Sequence, residues 1–171
     1  KEVLFLGSIM HDLGLTERYE DDQTFEITGA GVAREFCAEN GIDEEKADLV
    51  HEMVVLHNSV GIAHKREPEI ALLHFGAGAD VAGLWLHDIN PRTLEEILTE
   101  YPRLDFNEGM SRLIEEQVTK KPNSYMRTMV EKWEDAGRPP DGCPGGMFEH
   151  HVPLSVDATT PRGGLLDLPW M

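Results

Sequence analysis

Residues 2–10 (Glu-Val-Leu-Phe-Leu-Gly-Ser-Ile-Met) are apolar on nearly every side, and they run directly into His11-Asp12. A helix with so little polar face belongs in the centre of a bundle, so the rest of the chain must supply helices to cover it. The pair His11/Asp12 then ends that helix inside the core. Neighbouring residues on a helix point about 100° apart, so both reach one ion only near a helix end, where Gly14 lets the backbone turn. A neutral imidazole nitrogen and a carboxylate oxygen suit Zn²⁺, Fe or Mn²⁺. The same dipeptide recurs at His87-Asp88, so the pair alone does not select a site.

The following segments carry helical spacing and helical punctuation. After a polar loop over 17–23, residues 25–30 (Phe-Glu-Ile-Thr-Gly-Ala) lead into a helix over 30–40 that Gly41 stops. Asp43 caps the next helix, with Glu44 and Glu45 in its first turn. Ala47, Val50 and Val54 carry its apolar face to Leu56-His57-Asn58-Ser59, so His57 falls at a helix end as His11 does. Pro68 opens a run of small and apolar residues that reaches Gly83 and contains Asp80. Asn90 and Pro91 open an amphipathic helix that stops before Tyr101-Pro102; Asn107 caps another that stops at Lys120-Lys121-Pro122; residues 124–137 form a last short one. No internal repeat and no convincing strand is present. From Arg138 onward Pro and Gly accumulate without periodicity. The expected fold is therefore all-α, with a helical domain over 1–137 and an irregular tail over 138–171.

Length and charge narrow the function. A chain of 171 residues is long enough for one domain with a sizeable core. Fifteen basic against 32 acidic side chains leave a formal charge of −17, which repels nucleic acid and anionic membrane surfaces. No apolar run approaches the ~20 residues of a membrane span. Cys37 and Cys143 occur in unlike contexts, which suits a reducing cytoplasm better than a disulfide framework. The expected partner is a small molecule, with self-association of the bundle left open.

Among the titratable residues, Asp80 is the most informative after the opening pair. In Gly78-Ala79-Asp80-Val81-Ala82 an unpaired buried carboxylate would cost several kcal/mol, so it needs a metal, a base or a path to solvent. The competing reading puts it against water or a helix end. His57 is either a pocket residue or a satisfied core histidine. His51 and His64 read as surface residues, His74 as packed, and His87-Asp88 as an exposed turn. Cys143 with His150 and His151 matches no common zinc spacing. A phosphate loop with a lysine and a Gly-x-Ser-x-Gly elbow are both missing from the sequence.

Five blocks in order carry a resemblance over about residues 1–125: Met10-His11-Asp12-Leu13-Gly14-Leu15-Thr16, Phe25-Glu26-Ile27-Thr28-Gly29-Ala30, Leu56-His57-Asn58-Ser59-Val60-Gly61-Ile62-Ala63, Gly78-Ala79-Asp80-Val81-Ala82-Gly83 and Tyr101-Pro102-Arg103. Together they resemble the cyanamide hydratase-like branch of the HD-domain metal-dependent hydrolases. The resemblance implies an HD-type helical bundle holding one divalent metal, zinc first, with iron and manganese as alternatives. Residue by residue, it implies His11, Asp12 and Asp80 as metal ligands and His57 and Glu26 as catalytic residues lining the pocket. Thr16 and Asn58 are the expected substrate-binding residues. The family's first histidine ligand lies on a helix upstream of the His-Asp pair, whereas Lys1 opens in mid-helix. The expectation is a fragment lacking that helix; substitution by a histidine such as His150, or an incomplete site, are the alternatives. The implied reaction is hydration of a small nitrogen-containing substrate such as cyanamide to urea, with hydroxide formed on the ion attacking a polarised nitrile carbon. A phosphohydrolase acting on a nucleotide or phosphomonoester and a metal-free regulatory or binding module are the two rival readings.

Overall fold

The structure, a computed structural model, describes residues 1–135, so the expected tail, with Cys143, His150 and His151, lies outside the described residues. The described chain is an all-α bundle of α1 (Glu2–Met10), α2 (Phe25–Glu39), α3 (Glu44–Leu56), α4 (Pro68–Ala82), α5 (Pro91–Glu100), α6 (Phe106–Lys120) and α7 (Tyr125–Asp135). Short 3₁₀ turns join several of them, and no strand occurs among the described residues.

Several helix ends follow directly from their capping residues. The Asp43 carboxylate accepts the Lys46 amide at 3.1 Å to start α3. The Asn90 side chain accepts the Arg92 amide at 2.9 Å, and Pro91 fills the first position of α5, where no amide hydrogen is needed. Gly83 closes α4 in the left-handed conformation at φ 67°. Gly41, at φ 75°, ends α2 as expected, with the Ile42 amide donating to the Cys37 carbonyl at 3.0 Å.

Two boundaries differ from expectation. Helix α2 begins at Phe25, five residues before position 30, so Gly29 lies within a helix rather than ahead of one. Its reason is a close approach: a Cβ at Gly29 would lie 3.0 Å from the Gly14 amide nitrogen, and one at Gly14 would overlap the Phe25 carbonyl oxygen. The two glycines let the 3₁₀ turn Leu13–Leu15 lie directly on α2, which fixes the exit from the His-Asp pair. Helix α6 starts at Phe106 behind Asp105, and Asn107, expected as its cap, instead gives its side-chain oxygen to Arg103 at 3.0 Å.

Apolar burial divides into two cores. The first joins α1 to α4 through Val3, Met10, Ala33, Val50, Met53, Val54, Ile70 and Leu73. Met53 packs so closely under Gly7 that a Cβ there would stand 2.5 Å from its Cε. In the second core, Leu15, Phe25 and Ala82 meet Met110, Ile114 and Val118 of α6 and Met126 and Val130 of α7. Helix α1 is not enclosed in the way its composition suggested. It buries Val3, Gly7 and Met10, while Phe5 is 64 % and Ile9 58 % exposed. Among the described residues, α2, α3 and α4 cover only one of its sides.

Candidate metal centre

His11 is the cap residue at the end of α1 and His57 holds the same place on α3. The packing of these helices in the first core brings the rings edge to face, 5.0 Å between centroids. Each Nδ1 faces a carbonyl of its own helix, Ser8 at 2.7 Å for His11 and Val54 at 2.6 Å for His57. A carbonyl only accepts, so each Nδ1 carries its proton and each Nε2 of a neutral ring presents a lone pair. Both Nε2 atoms turn to Asp12: His11 lies 3.2 Å from Oδ2 and His57 3.6 Å from Oδ1.

Two lone pairs facing one carboxylate repel unless a positive charge stands between them. Without an ion, a proton on His11 supplies it. Burial works against charging His11, but the hydrogen bond and the charge of Asp12 outweigh burial and raise its pKa above 6.5. Burial likewise opposes the Asp12 anion and is outweighed by the hydrogen bond from His11 and the charges of His11 and His57, which lowers its pKa. For His57 burial dominates over the pull of Asp12, and its pKa falls to about 4. The two imidazoles thus move apart: His11 holds a proton more readily than a free histidine, and His57 less readily.

A second layer holds His57 in place. The His74 Nδ1–H donates to the His57 carbonyl at 2.7 Å, and the His74 ring meets the edge of Trp85 at 5.5 Å. Trp85 adopts φ 56° to fold back over α4, where Gly78 leaves it room: a Cβ there would lie 2.5 Å from the indole. His74 is buried, as its apolar neighbours imply, but it is also a hydrogen-bonding residue, which its sequence context does not disclose.

A cavity of about 290 Å³ opens beside the pair. His11, Asp12 and Asp80 share its walls with Ser8 and Phe106 and with the small and aliphatic α4 residues Leu72, Leu73, Gly76, Ala77 and Val81. Its described walls contain no Lys or Arg. Of the partners expected for Asp80, a base and a path to solvent are present: its side chain is 56 % exposed and bonded to Arg103 Nη1. Arg103 is the residue that sequence reasoning passed over. It closes the Tyr101-Pro102-Arg103 block without an assigned role, although Phe106 and Asn107 follow at the spacing of a helix start.

The remaining candidates stand apart from this cavity. Glu26 is buried in the first turn of α2, its two carboxylate oxygens without a hydrogen-bond partner among the described residues. Burial pushes its carboxyl up; its own backbone amide and the nearby Thr24 and Asn58 pull the other way, and the charge of Asp12 adds to the rise. Asn58, half-buried beyond α3, is therefore grouped with Glu26. Neither His57 nor Glu26 is a wall residue of this cavity. The Thr16 hydroxyl, exposed, donates to the Leu13 carbonyl at 2.7 Å and so closes the turn after the pair. Asp88 is exposed at a 3₁₀ turn, as expected.

Two imidazole–carboxylate contacts with preset Nδ1 protons, and a second carboxylate on the same cavity, fit a divalent ion in donor chemistry. Among the described residues, however, no group of three or more His, Cys, Asp or Glu side chains is closed tightly enough to hold one as it stands. No protein-family model matches the chain, and no curated protein does either. Among the described residues no helix is long and apolar enough to cross a membrane.

Proposed function

We propose that the chain is a metal-dependent hydratase or hydrolase of a small, uncharged, nitrogen-containing substrate, with cyanamide plus water giving urea as the first reaction to test. The observation that carries this reading is the make-up of the cavity: two carboxylates and an imidazole on walls that are otherwise small or apolar, with no cationic side chain among them to hold a phosphate. The five-block resemblance to the cyanamide hydratase-like branch supports the same chemistry. His11, Asp12 and Asp80 would hold the ion. When bound, it supplies a lowered pKa for water and polarisation of a nitrile.

The chain's own residues then divide the work. Asp12 orients both imidazoles and accepts the proton shared with His11. His57, behind Asp12, is a positioning residue that keeps that carboxylate turned to the cavity. Glu26, buried in the first turn of α2 with both carboxylate oxygens unpaired among the described residues, is the second candidate for moving a proton. The apolar α4 wall displaces water around a small substrate. A phosphomonoester would meet a chain of charge −17 and an Arg103 already engaged by Asp80.

One observation favours a rival. The donor set is not closed around a point, which a metal-free binding module would also show. Elemental analysis of the purified protein beside His11→Ala separates the two. About one zinc, iron or manganese per chain, lost in the variant, is expected, followed by turnover of cyanamide in preference to a panel of phosphate esters. No bound metal, or equal turnover by wild type and Asp80→Ala, overturns the proposal.

A further inference from the structure

Arg103 is the only strongly buried cation joined to a wall of the cavity among the described residues. Its side chain is 9 % exposed, whereas that of its partner Asp80 is 56 % exposed. Nη1 donates to Asp80 Oδ1, and Nη2 donates to the Asn107 side-chain oxygen at 3.0 Å. The guanidinium lies 4.5 Å from the centre of the Phe106 ring, and Phe106 is itself a wall of the cavity. Nε is buried without a hydrogen-bond partner among the described residues. Burying a cation with an unmatched donor is unfavourable for stability. Structural need alone would be met by an apolar side chain on Phe106.

The geometry points to Arg103 as the positioning residue for Asp80. It is clamped from two sides by α6, and it holds one carboxylate oxygen of a residue on α4. Asp80 itself lines the cavity that His11 and Asp12 also line, and the Arg103 contact engages only its Oδ1. An exposed aspartate near the end of a helix has several rotamers, and only some direct an oxygen inward. A fixed guanidinium reduces that choice before any ligand arrives, as outer-layer hydrogen bonds do for ligating carboxylates. The fork of Arg103 ties α4, which carries Asp80, to the start of α6, which carries Asn107 and Phe106. Docking of α6 thereby sets the direction of a group that shares the cavity with the His-Asp pair. The inference rests on the proposed metal-binding reading, and it predicts something that reading does not: affinity for the ion depends on a residue that never touches it.

The test is zinc affinity, measured by competition with a chromophoric chelator at pH 7. It is made on wild type, Arg103→Gln, Arg103→Lys, Asp80→Asn and the Asp80→Asn/Arg103→Gln double variant, each checked for native helicity. Arg103→Gln is expected to weaken zinc binding about 10–100-fold. Arg103→Lys should fall between the two, since a lysine point charge keeps the attraction to Asp80 but not the fork to Asn107. In the Asp80→Asn background the Gln substitution should change affinity less than about twofold, because the group it positions is gone. Affinity in Arg103→Gln equal to or tighter than wild type overturns the inference, and so does a full loss that persists in the double variant. If Arg103→Gln fails to fold, Arg103→Lys decides, and unchanged affinity there overturns it. Absence of zinc binding by wild type removes the metal-binding reading and this inference together, whereas the other failures remove only the role of Arg103.

Discussion

The two ends of the cavity are built by different means. At the end lined by His11 and Asp12, the His11 imidazole and the His57 imidazole behind it are each held by a carbonyl one turn back on their own helices, and their orientation is complete once the helix ends are formed. At the α4–α6 end, Asp80 depends on Arg103, 23 residues further along the chain, and on the docking of α6. The first arrangement is local, with a buried His57 behind a half-buried His11 and Asp12; the second is tertiary, with an exposed Asp80 held by a buried Arg103. The imidazoles are thus preset by their own helices, whereas the direction of Asp80 is set by packing between helices.

The strongest attempt to break that contrast is at the join between the pair and α2. Gly14→Ala places a methyl group on the backbone of Phe25, which cannot yield as a flexible side chain does. A loss of about 3 kcal/mol or more, or failure to fold, is expected in urea unfolding. Gly31→Ala, on the open face of the same helix with nothing within 4 Å, should be neutral or stabilise by up to about 1 kcal/mol. Equal behaviour of the two variants would mean that the join is not tight.

Glu26→Gln asks whether the inner end holds an uncompensated charge. A carboxyl whose folded pKa lies above its unfolded value of 4.5 destabilises the protein as pH rises past 4.5, until the folded pKa is reached. The variant should therefore be more stable than wild type at pH 7, and the gain should vanish as pH falls below 4.5. A gain that is independent of pH would contradict this.

Titration sharpens the contrast further. Histidine NMR signals of the metal-free protein should show His11 deprotonating above 6.5 and His57 only near 4. The stability contributed by His11 is complete below the unfolded pKa and is lost as pH rises through its folded value. Depression of the His57 pKa has the opposite sign, with stability falling as pH drops from 6.5 towards 4. A common midpoint for both rings would show that they do not share Asp12 as described.

The smallest effect belongs to the outer end. Asn90→Ala removes the cap of α5, a helix with no buried residue. It should lower protection of α5 amides against hydrogen exchange by about 1 kcal/mol or less and leave the global unfolding midpoint in place.

What could be read from the sequence divides along the same line. Asp43, Pro68, Asn90 and Pro91 act within one helical turn, so the helices they start could be read directly. His11 and His57 at helix ends were legible for that reason too. Gly29 was misleading because its purpose is set by Gly14, 15 positions earlier and on another element. That Asp80 needs a base or a path to solvent is legible from its small, apolar neighbours, but which base is not, because no local pattern connects it with Arg103. The covering of α1 was overestimated for a related reason: periodicity reports that a helix has no polar side, and only the fold reports how many sides are covered.

Cys37 gives the first core an internal clock. The thiol sits on α2 with no exposed surface, and burial, with the charge of Glu2, raises its pKa. Thiolate is the reactive form, so a reagent in solution cannot modify Cys37 while α1 to α4 remain assembled. With a reagent that reacts faster than the helices reclose, the waiting time before modification is the lifetime of that assembly, recorded covalently, one opening event at a time.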